Sequence, residues 1–99
     1  MAELIGEARL GDWVAGRAWR VDGAALERSW RFPDFAAALG FVNAVGGLAE
    51  AQSHHPDIAL HDFNVVTLRL ATHSAGGVTE HDLELAERVD ELQDRDTDA

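Results

Sequence analysis

The run Leu26-Glu27-Arg28-Ser29-Trp30-Arg31-Phe32-Pro33-Asp34-Phe35-Ala36-Ala37-Ala38-Leu39 changes its apolar period halfway along. Before Pro33, Leu26, Trp30 and Phe32 share one side of an extended chain with Arg28, while Glu27, Ser29 and Arg31 take the other. That period of two marks a sheet with one buried face. Beyond it, Phe35, Ala38, Leu39, Val42, Val45 and Ala49 recur at spacings of three and four, the pattern of an amphipathic helix. Pro33 is tolerated in a first helical turn, and Asp34 suits the positive end of the helix dipole. A strand hands over to a helix at Pro33-Asp34.

Upstream, Trp19 and Val21 alternate and Asp22-Gly23 is a turn signal, so residues 18–32 read as a hairpin. Leu4, Ile5, Ala8 and Leu10 suggest a short helix within residues 2–15, weakened by Gly6 and Gly11 at ~1 kcal/mol each relative to alanine. Downstream, Gly46-Gly47 weakens the last turns of the central helix. Ile58 and Leu60, then Val66, Leu68 and Leu70, alternate as two more strands joined by a turn at His61-Asp62-Phe63-Asn64. Ser74-Ala75-Gly76-Gly77 breaks the second of these. Thr79-Glu80-His81-Asp82 approximates a capping box and opens a helix whose Leu83, Ala86, Val89 and Leu92 point inward. The acid-rich residues 90–98 read as a solvated, fraying end.

The order α-β-β-α-β-β-α predicts an α+β fold, a four-stranded antiparallel sheet with helices packed on one face. Ninety-nine residues suit a single domain over 1–99, least determined at 1–16 and 93–99. The remaining face or edges of the sheet are expected to be solvated or paired with another subunit.

Composition narrows the chemistry. Cysteine and tyrosine are absent, and all eight basic residues are arginines. Thiolate nucleophiles, zinc-thiolate sites, a Schiff-base amine, a P-loop lysine and a phenolic acid are excluded together. Five histidines and the carboxylates are left to titrate near neutrality. A net charge of −10 opposes direct nucleic-acid binding. No apolar run approaches the ~20 residues a bilayer requires, and nothing resembles a signal peptide, so a cytoplasmic protein without a membrane partner is expected.

The chemistry concentrates between Glu50 and Asp82. His54 and His55 are sequence neighbours, without the i, i+4 spacing that aligns two ligands on a helix, so no metal is expected. Glu50 lies four residues before His54, and on a continuing helix its carboxylate would orient that ring. His73 closes the fourth strand, and the topology could carry all three imidazoles to one rim. Helix capping accounts for Asp82, and His61 and His81 read as surface residues.

The pattern Glu50-x3-His54-His55-Pro56, with Phe63 seven residues on, His73 ten further and Asp82 nine further, resembles the signature of the pterin-4a-carbinolamine dehydratases. Ser53 to Ile58, Thr72 to Thr79, Arg31 to Phe35 with Phe41-Val42-Asn43, and Trp19 are similar to the same family, so the resemblance covers roughly residues 17–92. Two departures stand out: the turn before Phe63 is one residue longer than usual, and Phe63 replaces a frequent tyrosine or tryptophan. The resemblance implies dehydration of 4a-hydroxytetrahydropterin to quinonoid dihydropterin, in tetrahydropterin recycling, without a cofactor. It implies His54, His55, His73 and Glu50 as catalytic residues, with His54 and His73 as acid and base and His55 binding the hydroxylated face. Pro56, Thr72, Ser74 and Ala75 would line the pterin beside the three histidines, with Phe63 and Asp82 in support. A homo-oligomer, dimer or tetramer, is implied as well. Relatives of this fold also serve as non-catalytic dimerisation cofactors or Rubisco-assembly proteins, the alternative reading.

Overall fold

Two hairpins supply the sheet and three helices cover one side of it. The computed structural model describes residues 3–98, with side chains to residue 92; residues 1, 2 and 99 of the two end segments lie outside the described residues. The elements run α1 (Glu7–Val14), β1 (Arg20–Asp22), β2 (Ala25–Arg31), α2 (Phe35–Gln52), β3 (Asp57–His61), β4 (Val65–Leu70) and α3 (Glu80–Asp98). All strand pairs are antiparallel, in the order β1-β2-β4-β3. The predicted α-β-β-α-β-β-α order is the observed one.

Cross-strand register sets the two faces. Leu26 opposite Leu70, Arg28 opposite Leu68 and Trp30 opposite Val66 look toward the helices. Leu26, Val66, Leu68 and Leu70 are fully buried there, in one cluster with Leu10 of α1, Ala38, Phe41 and Val45 of α2, and Leu83, Leu85, Ala86 and Val89 of α3. Each large apolar side chain so buried contributes ~1.5–3 kcal/mol. Trp30 anchors the layer, meeting Trp19 edge-on at 5.7 Å and Phe41 at 4.8 Å, geometries that aromatic quadrupoles favour.

α2 departs from its expected inward face. Ala38, Phe41, Val45 and Ala49 are the buried positions, whereas Phe35 and Leu39 are exposed. The helix is apolar around most of its circumference, with Glu50 its one charged residue, so periodicity alone could not say which side the sheet would take. Its start is also displaced. Asp34 is the N-cap and accepts from the Ala37 N–H at 2.8 Å, leaving Pro33 ahead of the helix rather than in its first turn. Gly46-Gly47 does not end it, because four flanking turns of packed helix outweigh ~1 kcal/mol per glycine. α3 likewise continues to Asp98, through a stretch read as fraying; Glu, Leu, Gln and Arg there are good helix formers.

The far face is polar. Glu27 accepts from both Arg20 and Arg69, and Arg69 also reaches Asp22. The Arg20 hydrogen bond, followed by that from Arg69, holds the Glu27 carboxyl below the usual range. On the helix side, Arg28 crosses Trp30 and pairs with Asp90 of α3 at 2.7 Å, while the Trp19 indole N–H donates to the same carboxylate at 2.9 Å. Burial pushes the Asp90 carboxyl up, against the pull of Trp19 and Arg28. The folded chain therefore holds this proton more tightly than the unfolded chain. Asp90's contribution to stability declines as pH rises from the ordinary aspartate value of about 3.9 through the folded value. Asp90→Asn removes that slope: its urea midpoint should gain on the wild type as pH rises above about 4. A difference constant with pH contradicts this.

Among the described residues, no helix is long and apolar enough to cross a membrane.

Candidate active site

The end of α2 aims the first histidine. Ser53 takes a left-handed conformation, φ 53°, and its N–H and that of His54 fold back onto the carbonyl of Ala49, closing the helix at Gln52. His54 is thereby turned off the helix axis and toward α3. There its Nε2 lies 2.5 Å from Oδ1 of Asp82, a fully buried carboxylate. Glu50, expected to steady His54, instead meets Nε2 of His55, and both of those side chains are exposed. The i, i+4 relation fails because the helix ends before His54.

Asp82 is held from several directions. Its Oδ2 accepts the Thr79 backbone N–H at 2.8 Å and the Thr72 hydroxyl at 2.9 Å. Thr72 spends its one hydroxyl proton on Asp82, so the hydroxyl of Thr79, 2.7 Å away, donates to Thr72. Half of the expected capping box is therefore present: the acid returns to the N-cap amide, but the threonine side chain serves Thr72 instead of the helix. A buried carboxylate is tolerable only when donors satisfy it. With Oδ2 occupied, Oδ1 accepts the proton of His54 Nε2, and Nδ1 is the ring nitrogen that Asp82 does not engage.

The turn after β4 carries the third histidine. Thr72 N–H donates to the Gly77 carbonyl at 2.7 Å, and the Thr72 carbonyl accepts from Ala75 and Gly76, closing the segment on itself around Gly76 at φ 77°. Both backbone groups and the hydroxyl of Thr72 are consumed inside this network. What the segment can offer a ligand comes from His73, Ser74 and Ala75, with His73 and Ser74 exposed. The structure thus gathers His54, Asp82, Thr72 and Thr79 into one hydrogen-bonded unit, with His73 one residue along from Thr72 and His55 with Pro56 one step beyond His54.

Phe63 is not brought to this cluster within the chain. It tops the β3–β4 turn, at the opposite end of those strands, and is 64% exposed. His81, read as a bystander, lies with its ring 5.6 Å from that of His54. Its position one residue before Asp82 in the first turn of α3 was the available signal. A shallow cleft between α2 and α3, lined by Leu48, Ala51, Gln52 and Arg88, includes none of the histidines. Among the described residues, no three His, Asp or Glu side chains converge as metal ligands would.

An imidazole with one nitrogen fixed by a buried carboxylate and the other unoccupied is equipped for proton transfer. The comparisons bear on which reaction. A family model described as Pterin 4 alpha carbinolamine dehydratase matches residues 3–92. A protein of Gloeobacter violaceus, provisionally named a pterin-4-alpha-carbinolamine dehydratase, is 53% identical over 78 residues, covering 78% of this chain and 80% of its own. One from Chloroflexus aurantiacus, similarly named, is 43% identical over 89 residues, 89% of this chain and 95% of its own. Among solved structures, a transcriptional coactivator/pterin dehydratase from Brucella melitensis superposes with a TM-score of 0.81 at 35% identity, covering 89% of this chain and 96% of that one. A pterin dehydratase-like protein described as a RuBisCO assembly factor in the alpha-carboxysome superposes at 0.59 with 25% identity, covering 75% and 84%.

Proposed function

Because this chain belongs to the pterin 4 alpha carbinolamine dehydratase family, we propose that it converts 4a-hydroxytetrahydropterin to quinonoid dihydropterin and water by histidine acid/base catalysis. The observation that supports this reading best is the contact of His54 with buried Asp82. The reaction breaks the C4a–O bond, removes the N5 proton and returns both as water, with no change of redox state. It needs one group to protonate the departing oxygen and another to accept the nitrogen proton. His54, presenting Nδ1, and His73, on the neighbouring turn, form the acid/base pair. His55, steadied by Glu50, binds the hydroxylated face. Pro56 and His73 to Ala75 flank the flat ring, where peptide groups can meet its amide edge. Asp82 acts through His54, fixing its tautomer and direction. Tetrahydropterin recycling in the cytoplasm, as a dimer or tetramer, is the setting this activity fits.

The decisive measurement is the dehydration rate of a chemically prepared carbinolamine with purified protein. An enhancement over the spontaneous reaction that grows linearly with protein concentration is expected, and none contradicts the proposal. The likeness to the assembly-factor structure favours a second reading, a binding protein of the same fold. Such a role has no use for His54, His55 and His73 together; inactive protein that still binds a partner chain would favour it.

A further inference from the structure

Two residues outside the signature connect α2 to α3 beside the candidate site. Gln52 is the last residue of α2, and its side-chain amide donates to the backbone carbonyl of His81 at 2.9 Å. His81 stands in the first turn of α3, one residue before Asp82. Its ring lies 5.6 Å from that of His54, with the two planes inclined at 39°. Offset aromatic rings at such separations attract one another. Consecutive residues of a helix point about 100° apart, so α3 offers His54 two different surfaces. Asp82 meets the edge of the ring at Nε2, and His81 sets a second ring beside it.

One hydrogen bond does not immobilise an imidazole. The contact of Nε2 with Asp82 Oδ1 at 2.5 Å sets where the edge of the His54 ring lies, yet the plane can still turn about that bond. A ring nitrogen exchanges its proton within the plane of the ring, so a proton-transfer group must be held in orientation as well as in place. We propose that His81 is a positioning residue of the dehydratase site, its imidazole lying against the His54 ring to fix that plane, and that Gln52 holds His81 there. The proposal rests on the dehydratase reading for the reaction it serves. A cost met at Gln52 supports it. The His81 carbonyl can only accept, so the NH₂ of Gln52 must face it and Oε1 must face away. That oxygen is buried with no hydrogen-bond partner among the described residues, and such an orphan typically costs more than one hydrogen bond returns. A leucine would fill the same space beside Leu48 and Ala51 without the stranded oxygen. Stability alone therefore gives no reason for an amide here. What the amide holds is the turn of α3 that carries both His81 and Asp82.

Substitutions at His81 separate this role from its rivals. His81→Ala should lower kcat for carbinolamine dehydration by roughly two- to ten-fold, the worth of one aromatic contact, with KM little changed. His81→Phe keeps a flat ring without a nitrogen and should restore the wild-type kcat. An alanine variant with wild-type kcat overturns the proposal. So does a phenylalanine variant as slow as alanine, which would make the His81 nitrogens the active part instead of its ring surface. The mobility of His54 gives a reading that needs no activity. Carbon relaxation of its Cδ2–H bond, followed by NMR, should give an order parameter in the rigid range, about 0.85, in the wild type and in His81→Phe, falling toward about 0.6 in His81→Ala. An equally rigid His54 in His81→Ala also overturns the proposal. Gln52→Leu should loosen the His54 ring in the same sense, while the thermal midpoint holds or rises because the buried oxygen has gone. Added to His81→Ala it should loosen the ring no further, since Gln52 acts through His81; additive losses overturn that part. If the wild type proves not to be a dehydratase, the functional reading falls, and the order parameter still decides whether His81 holds His54.

Discussion

His54→Ala lowers kcat for carbinolamine dehydration by about 10²–10⁴-fold, the usual worth of a positioned general acid or base. Asp82 Oδ1 takes the Nε2 proton of His54, so Nδ1 is the nitrogen left for proton exchange with a bound substrate under the proposed assignment. Alanine removes that nitrogen and also strips a buried carboxylate of a donor, so part of the effect could come through folding. His54→Gln separates the two. Glutamine can still donate an N–H to Asp82 yet cannot exchange a proton at neutral pH, and it should be as inactive as alanine with a more wild-type thermal midpoint. His73→Ala should fall into the same range, since dehydration needs a second proton-transfer group. Stopped-flow rates, with circular dichroism to confirm the fold, check all three. Wild-type rates in both His54→Ala and His73→Ala refute the assignment.

Asp82→Ala should be the most destabilising of these substitutions, at about 3–5 kcal/mol, the cost of deleting one partner from a buried charged network. The loss strands the Thr79 N–H, the Thr72 hydroxyl and His54 Nε2 at once. A domain of this size has ~5–15 kcal/mol in total, so the variant should populate unfolded chain in mild urea. Asp82→Asn gives a contrasting result. Its oxygen can still serve Thr79 and Thr72, so the fold survives. Its NH₂ then faces His54, which must accept at Nε2 and carry its proton on Nδ1. The imidazole is then in the wrong tautomer for its task, and kcat should drop by about 10²–10⁴-fold, as when a triad carboxylate is amidated. Denaturation in urea and the dehydration assay, run on both variants, test the pair. An active Asp82→Asn protein would remove Asp82 from the mechanism.

The two central strands were legible because each shows a clean alternation: Trp30 and Leu26 against Ser29 and Glu27, Val66 and Leu68 against Thr67 and Arg69; in the edge strands Val21 and Ile58 alternate in sequence yet stay exposed. α2 was legible as a helix but not in its orientation, since Phe35 and Leu39 look as buriable as Phe41 and Val45. Which pair goes inward depends on Trp30 and Phe32, which meet Phe41 at 4.8 Å and 5.1 Å. Of the candidate site, the signature picked out the histidines together with Glu50 and Asp82, but not which carboxylate meets which ring. A single left-handed residue, Ser53, reassigns Glu50 from His54 to His55, and local periodicity does not encode such a turn at a serine. The pairing of His54 with Asp82 spans 28 positions of sequence and exists only once α2 and α3 pack side by side. Thr72 illustrates the same limit, for its place in the signature does not reveal that its hydroxyl is spent on Asp82.

The Thr79 N–H ends on the carboxylate that holds His54, which makes one backbone amide a gauge of the proposed site. Its hydrogen can be replaced by deuterium only when Asp82 lets go, so its exchange rate times the opening of the site from within the scaffold. A pterin that steadies His54 should slow this amide while those of α1 keep their pace. Ligand arrival at an imidazole thus becomes visible as a clock ticking more slowly at the start of a helix.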